Sequence, residues 1–575
     1  MPSIHAPLAA GLCLLAALTC GCYSKKMVTR SATSAPAPQV YLPDTISRHA
    51  RLIEGAPVPM RGYCVVVGLG KNGSTQVPGA LQKYLVQYLL KEGRLSSYFH
   101  GTQDVSPARF LADLDTAVVQ VTGLIPPGAP RGMRIDVEVK ALGQTDTKSL
   151  EGGTLMPAEM RLAIGDLENA GQGSTVQAMA GGPVFVNPFL DHNKTSDLIK
   201  FREGVIIGGG QVIEARPVRL SLVYPDFAMC QLIQRRINER FAYPNPVAAG
   251  KDSSMLELTI PPDMQDDYRH FVDLVLHLPL RTEIGTWEQI AREMLKAIDK
   301  PGSRYEDYSL TWEAMGRQVI SIIRPAYRSR NPITAYYTAR AGLRLGDAIA
   351  ADVILFYAQD KRAGLQMEAI GELGRHRNVA RAALVLHQLL DDEDDLVRQA
   401  AYEALDRRGD RTVITRVKVC DDFDIDLVAT KVRPAIYVSR TLRQRLVLFG
   451  GDLPVRLPLF YDSPDHTVTI NAKPDQNELS VFRKLPRSGE YSDILKVKPT
   501  VKELVLAMGS PPQRDADGNM RGLWLTYSQI VSVLYHLCKG SDINARFNLQ
   551  TPSALSKSLY QHAPGAGRPD TQGTP

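Results

Sequence analysis

Gly68-Leu-Gly70-Lys-Asn-Gly73 is the stretch whose residue types and spacing come nearest to chemistry. It fits G-x-G-x-x-G and follows a β-prone run, Cys64 to Val67. Glycines spaced this way can bring a helix N-terminus against a pyrophosphate. Two features favour a structural loop instead. Pro78 delays the helix by several residues, whereas in a dinucleotide site the helix opens inside the motif. The acidic residue expected about 20 positions on is also missing, since Glu92 sits at a helix end. Lys71 has no G-x-x-x-x-G-K-[ST] frame around it. The acidic clusters read in the same way. Asp391 to Asp395 reads as the cap of a following helix. Asp421, Asp422, Asp424 and Asp426 read as a solvated junction. Asp515-Ala-Asp517-Gly518-Asn519 is a poor calcium loop, because Gly518 is misplaced and Thr526 stands where the bidentate Glu belongs. The 11 histidines form no H-E-x-x-H, and there is no G-x-S-x-G. We therefore expect no enzyme: no catalytic residue, no cofactor and no metal ligand.

The elements around these motifs divide the chain. Its 575 residues, with 44% hydrophobic and 22% charged, are ordinary globular composition and exclude a mainly disordered chain, a collagen and a bare coiled coil. A net charge of +6 spread over that length is too weak to argue for nucleic acid. Residues 62–93 read as strand, Gly-rich loop and helix, with Leu81, Tyr84, Leu85, Tyr88 and Leu89 at helical spacing. Ile135, Val137 and Val139 alternate with charged residues, as in a strand with one wet face. Gly181-Gly182 and Gly208-Gly209-Gly210 read as turns or tight backbone contacts. Residues 226–241 read as a helix, 255–260 as a strand and 263–276 as a short helix. From 287 to 410 the pattern is almost wholly helical. Ala339-x-x-x-Leu343, Ala369-x-x-x-Leu373 and Ala401-x-x-x-Leu405 repeat there, and the last resembles the second helix of a HEAT repeat. Residues 417–482 return to β character. Thr500 and Thr526 then open two closing helices through S/T-x-x-E/Q boxes, with Asp517-Gly518 as a turn between them.

The N-terminus points to export. Residues 6–19 form a short, nearly apolar stretch that ends at small residues, as in a secretory signal. Leu18-Thr19-Cys20-Gly21-Cys22 resembles a bacterial lipoprotein box, which makes Cys22 the candidate lipid-bearing residue; cleavage without a lipid is the alternative. Cys64, Cys230, Cys420 and Cys538 share no CxxC spacing and read as small buried hydrophobes.

Four segments, in order, are similar to the bacterial flagellar P-ring protein family. They are Gly62-Tyr-Cys-Val-Val-Val-Gly68-Leu69 with its loop, Ile125-Pro-Pro-Gly-Ala-Pro-Arg-Gly132-Met-Arg-Ile135-Asp136-Val137, Lys148-Ser-Leu150-Glu-Gly152-Gly153-Thr154-Leu155, and Tyr224-Pro225-Asp226-Phe227 before an amphipathic helix. The resemblance breaks at about residue 282. It resumes at Ile436-Tyr-Val-Ser through Gly450-Gly451-Asp452, which looks like the family's hairpin, and the two closing helices sit where the family has a helical pair.

This resemblance implies an α+β chain: a P-ring-like mixed α/β body split by an all-α HEAT-like insertion. Our boundaries are a signal at 1–21, a tether at 22–50, an N-terminal α+β region at 51–282, helical repeats at 283–415, a C-terminal β and helical region at 416–545 and a disordered tail at 546–575. The resemblance further implies a non-enzymatic periplasmic subunit that forms a homo-oligomeric ring around the flagellar rod, against peptidoglycan. An unknown protein would be the partner of the helical repeats. The outer membrane would be reached only through a lipid on Cys22, and nucleic acid is not a partner. Candidate assembly contacts are Gly68, Gly70 and Gly73, with Leu150, Gly152, Gly153 and Thr154; the alternative is that these loops only shape the fold. The rival reading is an envelope lipoprotein adaptor that binds a partner through its repeats.

Overall fold

The computed structural model describes residues 43–53, 55–91, 106–163, 175–242, 244–280, 286–300, 302–421, 423–485, 489–514 and 520–550. The signal, Cys22, Gly93, the acidic stretch 515–519 with its Asp517-Gly518 turn, and the segment after 550 lie outside the described residues.

Six strands close an antiparallel barrel in the order β2-β3-β4-β7-β6-β5. They follow a short strand β1, Ala50–Ile53, and are β2 Val58–Val67, β3 Thr116–Ile125, β4 Arg134–Ala141, β5 Thr154–Leu162, β6 Ala178–Pro183 and β7 Glu203–Val212. The β-branched runs in β2 and β3 explain the choice of strand over helix, since these side chains lose little freedom on a pleated surface. The expected alternation in β4 is observed: Ile135, Val137 and Val139 are buried. Helix Gly79–Lys91 closes on the same core with Leu81, Leu85 and Leu89, and Tyr88 donates its hydroxyl to the Pro157 carbonyl at 2.7 Å.

A second lobe is built on the sheet β1-β8-β10-β9, adding β8 Val218–Leu222, β9 Ala248–Gly250 and β10 Met255–Leu258. Helices Phe227–Phe241 and Tyr268–Leu276 cover it, and Leu220, Leu256, Ile233 and Phe271 are fully buried between them. Asp226 caps the first helix by accepting from the Ala228 N–H. The lobe corrects the tether boundary at 50. Thr45 bridges to Pro279, Ile46 is fully buried and β1 pairs with β8, so folded chain begins within the expected tether.

The insertion folds as helices Thr286–Ala297, Tyr305–Met315, Pro332–Arg344, Ala348–Gln359, Gln366–Arg375, Ala380–Leu389 and Asp395–Arg408. Asn331, Asp347 and Asp394 cap three of them, the last from within the acidic run. Ala339, Ala369 and Ala401 are fully buried, with Leu343, Leu373 and Leu405 beside them in the core. Gly374 shows why small residues recur: a Cβ there would lie 2.9 Å from Ala404 Cα.

The chain then makes β11 Ile414–Lys418, β12 Phe423–Val428, β13 Ala435–Ser439 and β14 Gln444–Phe449. A four-stranded sheet follows, from β15 Leu459–Asp462, β16 Val468–Ala472, β17 Leu479–Arg483 and β18 Leu495–Val497. Helices Val501–Gly509 and Tyr527–Lys539 flank the small hairpin of β19 Gln513–Arg514 and β20 Met520–Arg521. The Thr526–Gln529 capping box is complete in both directions, while at Thr500 the hydroxyl accepts from the Glu503 N–H. The tail boundary at 546 is also corrected, because β21 Arg546–Leu549 pairs parallel to β13 and completes the sheet β11-β12-β14-β13-β21.

That five-stranded sheet joins the two halves of the protein. Successive side chains point to opposite faces. Tyr437, Val447 and Phe449 pack into the helical core, while Ile436, Val438, Leu446 and Leu448 pack into the C-terminal core. The insertion therefore shares a core with the body. None of the four described cysteines is in a disulfide; Cys64 and Cys230 are buried, and Cys420 and Cys538 are half-buried.

Candidate functional site

The two glycine loops picked out by sequence meet at one end of the barrel. In the first, the N–H groups are already committed within the protein. Gly70 donates to Asp115 Oδ1 at 2.7 Å, Asn72 to the Leu69 carbonyl at 3.0 Å, Gly73 to the Leu114 carbonyl at 2.8 Å and Ser74 to the Thr116 carbonyl at 2.8 Å. A phosphate cradle needs such amides free, so the loop lacks the donors of a dinucleotide site. A Cβ at Gly73 would lie 2.1 Å from the Thr116 carbonyl oxygen, so only glycine fits. The second loop locks onto the first. Lys148 N–H donates to the Asn72 carbonyl at 2.8 Å, and Gly153 is buried where a Cβ would meet Val66 and Leu69. Gly73, Leu150 and Gly153 are buried, Gly70, Gly152 and Thr154 are half-buried, and Gly68 is exposed.

The same end of the barrel carries the joint to the C-terminal lobe. Gly152 faces the capping residue Gln529, whose Nε2 lies 2.7 Å from where a Cβ would stand. Val186 N–H donates to Ser528 Oγ at 3.0 Å, and Phe185 packs its ring 5.8 Å from Tyr527. Sequence reasoning missed the key residue, Asp136. Its Oδ1 accepts from Gly208 N–H at 2.7 Å and from Leu442 N–H at 2.9 Å, tying β4, β7 and the β13–β14 turn together. Burial pushes the Asp136 carboxyl above its ordinary pKa, against the lowering effect of the two backbone donors. Gly208 lies in the left-handed region at φ +61°, and a Cβ there would be 2.3 Å from the Leu442 carbonyl oxygen. The glycine cluster is therefore a close contact inside a strand, and of the two expected alternatives the turn is excluded.

A second ionic joint holds the last helix of the insertion to the five-stranded sheet. Asp426 is fully buried and accepts from Tyr402 Oη at 2.5 Å and from Arg416 at 2.7 and 2.8 Å. Arg445 donates to Asp406 at 2.7 Å and to Tyr402 Oη at 2.9 Å. Burial raises the Asp406 pKa, but hydrogen bonds from Arg445, Arg411 and Arg416 outweigh that and hold it well below the usual carboxylate range. Asp426 is thus no part of a solvated junction, whereas Asp421 is exposed and pairs with Lys418. Among the described residues, no group of three or more His, Cys, Asp or Glu side chains is placed to hold a metal ion.

Comparison with known proteins agrees with this geometry. Residues 50–286, the barrel and its neighbouring lobe, match the family model of the flagellar P-ring protein, and residues 320–422 match that of HEAT repeats. The flagellar P-ring protein of Aquifex aeolicus (strain VF5) is 32% identical over 209 residues, 35% of this chain and 52% of the relative. That of Syntrophotalea carbinolica is 29% identical over 232 residues, 39% of this chain and 57% of the relative. That of Thermotoga maritima is 31% identical over 178 residues, 30% and 51% respectively. The chain spans about half the length of the curated relatives it matches. The family match ends at 286, short of Ile436 to Asp452, where we expected the resemblance to resume.

Proposed function

From a flagellar P-ring-type region at residues 50–286 followed by HEAT repeats at 320–422, we propose that this protein is a non-enzymatic structural subunit of a periplasmic ring around the flagellar rod. The observation that carries the reading is the family match over the whole barrel and lobe. The geometry supports it, because the motif residues form a joint: Asp136 bonds the barrel to the β13–β14 turn, and Gly152 and Gly208 leave the room for the C-terminal lobe to approach closely. A body stiffened in this way suits a load-bearing subunit.

A closed ring needs a repeated head-to-tail contact between copies. Of the two loops, Gly68, Lys71 and Lys148 reach the surface and can touch a neighbour. Gly73, Leu150 and Gly153 act from beneath by shaping the loop. The rod and peptidoglycan are the further partners of this reading, with an unidentified protein on the repeats. A lipid on Cys22 would tether the subunit to the outer membrane. The test is the size of the mature protein together with its presence in purified basal bodies. Ring-sized oligomers that co-purify with basal bodies are expected. A strict monomer absent from them would overturn the proposal.

A further inference from the structure

The lobe and the first helices of the insertion meet across a seam that holds two histidines. Helix Tyr268–Leu276 and its C-cap residue His277 pack against helix Tyr305–Met315. His270 Nε2 lies 2.6 Å from Glu313 Oε1, and His277 Nε2 lies 3.5 Å from Asp307 Oδ1. All four side chains are at most 20% exposed. The lobe thus presents imidazoles and the insertion presents carboxylates.

The two rings are held differently. His270 Nε2 faces the Glu313 carboxylate, which can only accept, so the ring offers its N–H there, with Arg344 Nη1 3.2 Å from Nδ1 and 3.3 Å from Nε2. His277 Nδ1 lies 2.6 Å from the Asp273 carbonyl oxygen, which can only accept. The single proton of a neutral His277 is therefore spent on its own helix. Its Nε2 would then turn a lone pair toward the Asp307 carboxylate. Only a second proton makes that contact attractive.

We propose that His277 is a proton-operated latch between the lobe and the helical insertion, closed when the ring is charged and released when it is neutral. This goes beyond the ring reading and does not depend on it. The surrounding charges fit the role. Asp307 is also paired with Arg304, and Asp273 lies one turn before the ring on its own helix. Glu306, beside Asp307, is held by Arg340 at 3.3 Å. From the other elements around the helix, Asp44 pairs with His49, Arg236 donates to the Pro279 carbonyl, Arg240 donates to the carbonyls of Glu313 and Ala314, and Asp267 faces Arg375 at 3.6 Å. Burial lowers the His277 pKa, but the hydrogen bonds to Asp307 and to the Asp273 carbonyl, with the two carboxylate charges, outweigh it and leave the pKa raised. A raised pKa means the latch contributes fully below the unfolded-state value near ~6.5 and is lost as pH rises through the folded-state value.

The test is hydrogen exchange of the full chain at about pH 6 and about pH 8.5, corrected for intrinsic rates, read in helices 268–276 and 305–315. Wild type should lose protection in both helices at the higher pH, on the order of five-fold or more. His277→Lys should stay protected at both pH values. Asp307→Asn should show no pH response and serves as the second variant should His277→Lys fail to fold. Equal protection of wild type at both pH values, or an unchanged pH response in Asp307→Asn, would overturn the proposal.

Discussion

Asp136 links two parts of the chain through a single carboxylate oxygen, and its loss should be felt in both. Asp136→Ala leaves the Gly208 and Leu442 N–H groups without their acceptor. We expect a loss of about 1–3 kcal/mol, visible as a lower denaturation midpoint. Gly208→Ala should act at the same joint by another route. The added methyl would meet the Leu442 carbonyl, and the backbone angle disfavours it as well. A loss of about 1–3 kcal/mol is expected, with the barrel's own circular dichroism retained. The glycines were legible in the sequence as places of close approach. The approaching atoms were not, because Asp136 and Leu442 stand 306 residues apart. Asp426 misled for a related reason. On β12 it shares a face with Val428, and that face is covered by helix Asp395–Arg408, an element that no local pattern brings there.

Among the elements, β14 is the one on which the two halves depend. All six of its residues are buried: Leu446 to Phe449 is a continuous apolar run, as in strands covered on both faces, and Gln444 and Arg445 are buried polar residues at its start. The Asp406 carboxylate, on the last repeat helix beside it, carries a pH signature. The Asp406 pKa is held below its unfolded value, so its contribution is present above about pH 4 and is lost as pH falls toward the folded-state value. Acid titration followed by near-ultraviolet circular dichroism should therefore show the seam around Tyr402 and Tyr437 loosening below about pH 4. Asp426→Ala leaves Arg416 and Arg445 beside an empty position and should destabilise by about 3–5 kcal/mol. Tyr402→Phe removes two hydrogen bonds, the one to Asp426 and the one from Arg445, and should cost about 2–4 kcal/mol. The helical character of the insertion, the cap from the acidic run and the Ala-x-x-x-Leu repeat were legible because period and capping are local signals. The shared core was not, since a binary pattern tells which face is buried but not what buries it.

For the whole molecule, the sequence suggests a body split by a helical insertion, and the structure shows that insertion sharing a core with the body. The helical repeats are held at one end by the seam of His270, Glu313, Arg344 and Glu372 and at the other by the five-stranded sheet. Excising residues 286–410 should therefore expose Tyr437, Val447 and Phe449 and give an aggregating or dye-binding product. A soluble, cooperatively folding remainder would show that the insertion is independent after all. Electron cryotomography of cell envelopes, with and without the gene, tests the central claim most directly. The account predicts a periplasmic ring around the flagellar rod that disappears on deletion, returns on complementation and carries extra mass from the helical repeats. An unchanged ring and normal flagella in the deletion strain would contradict it.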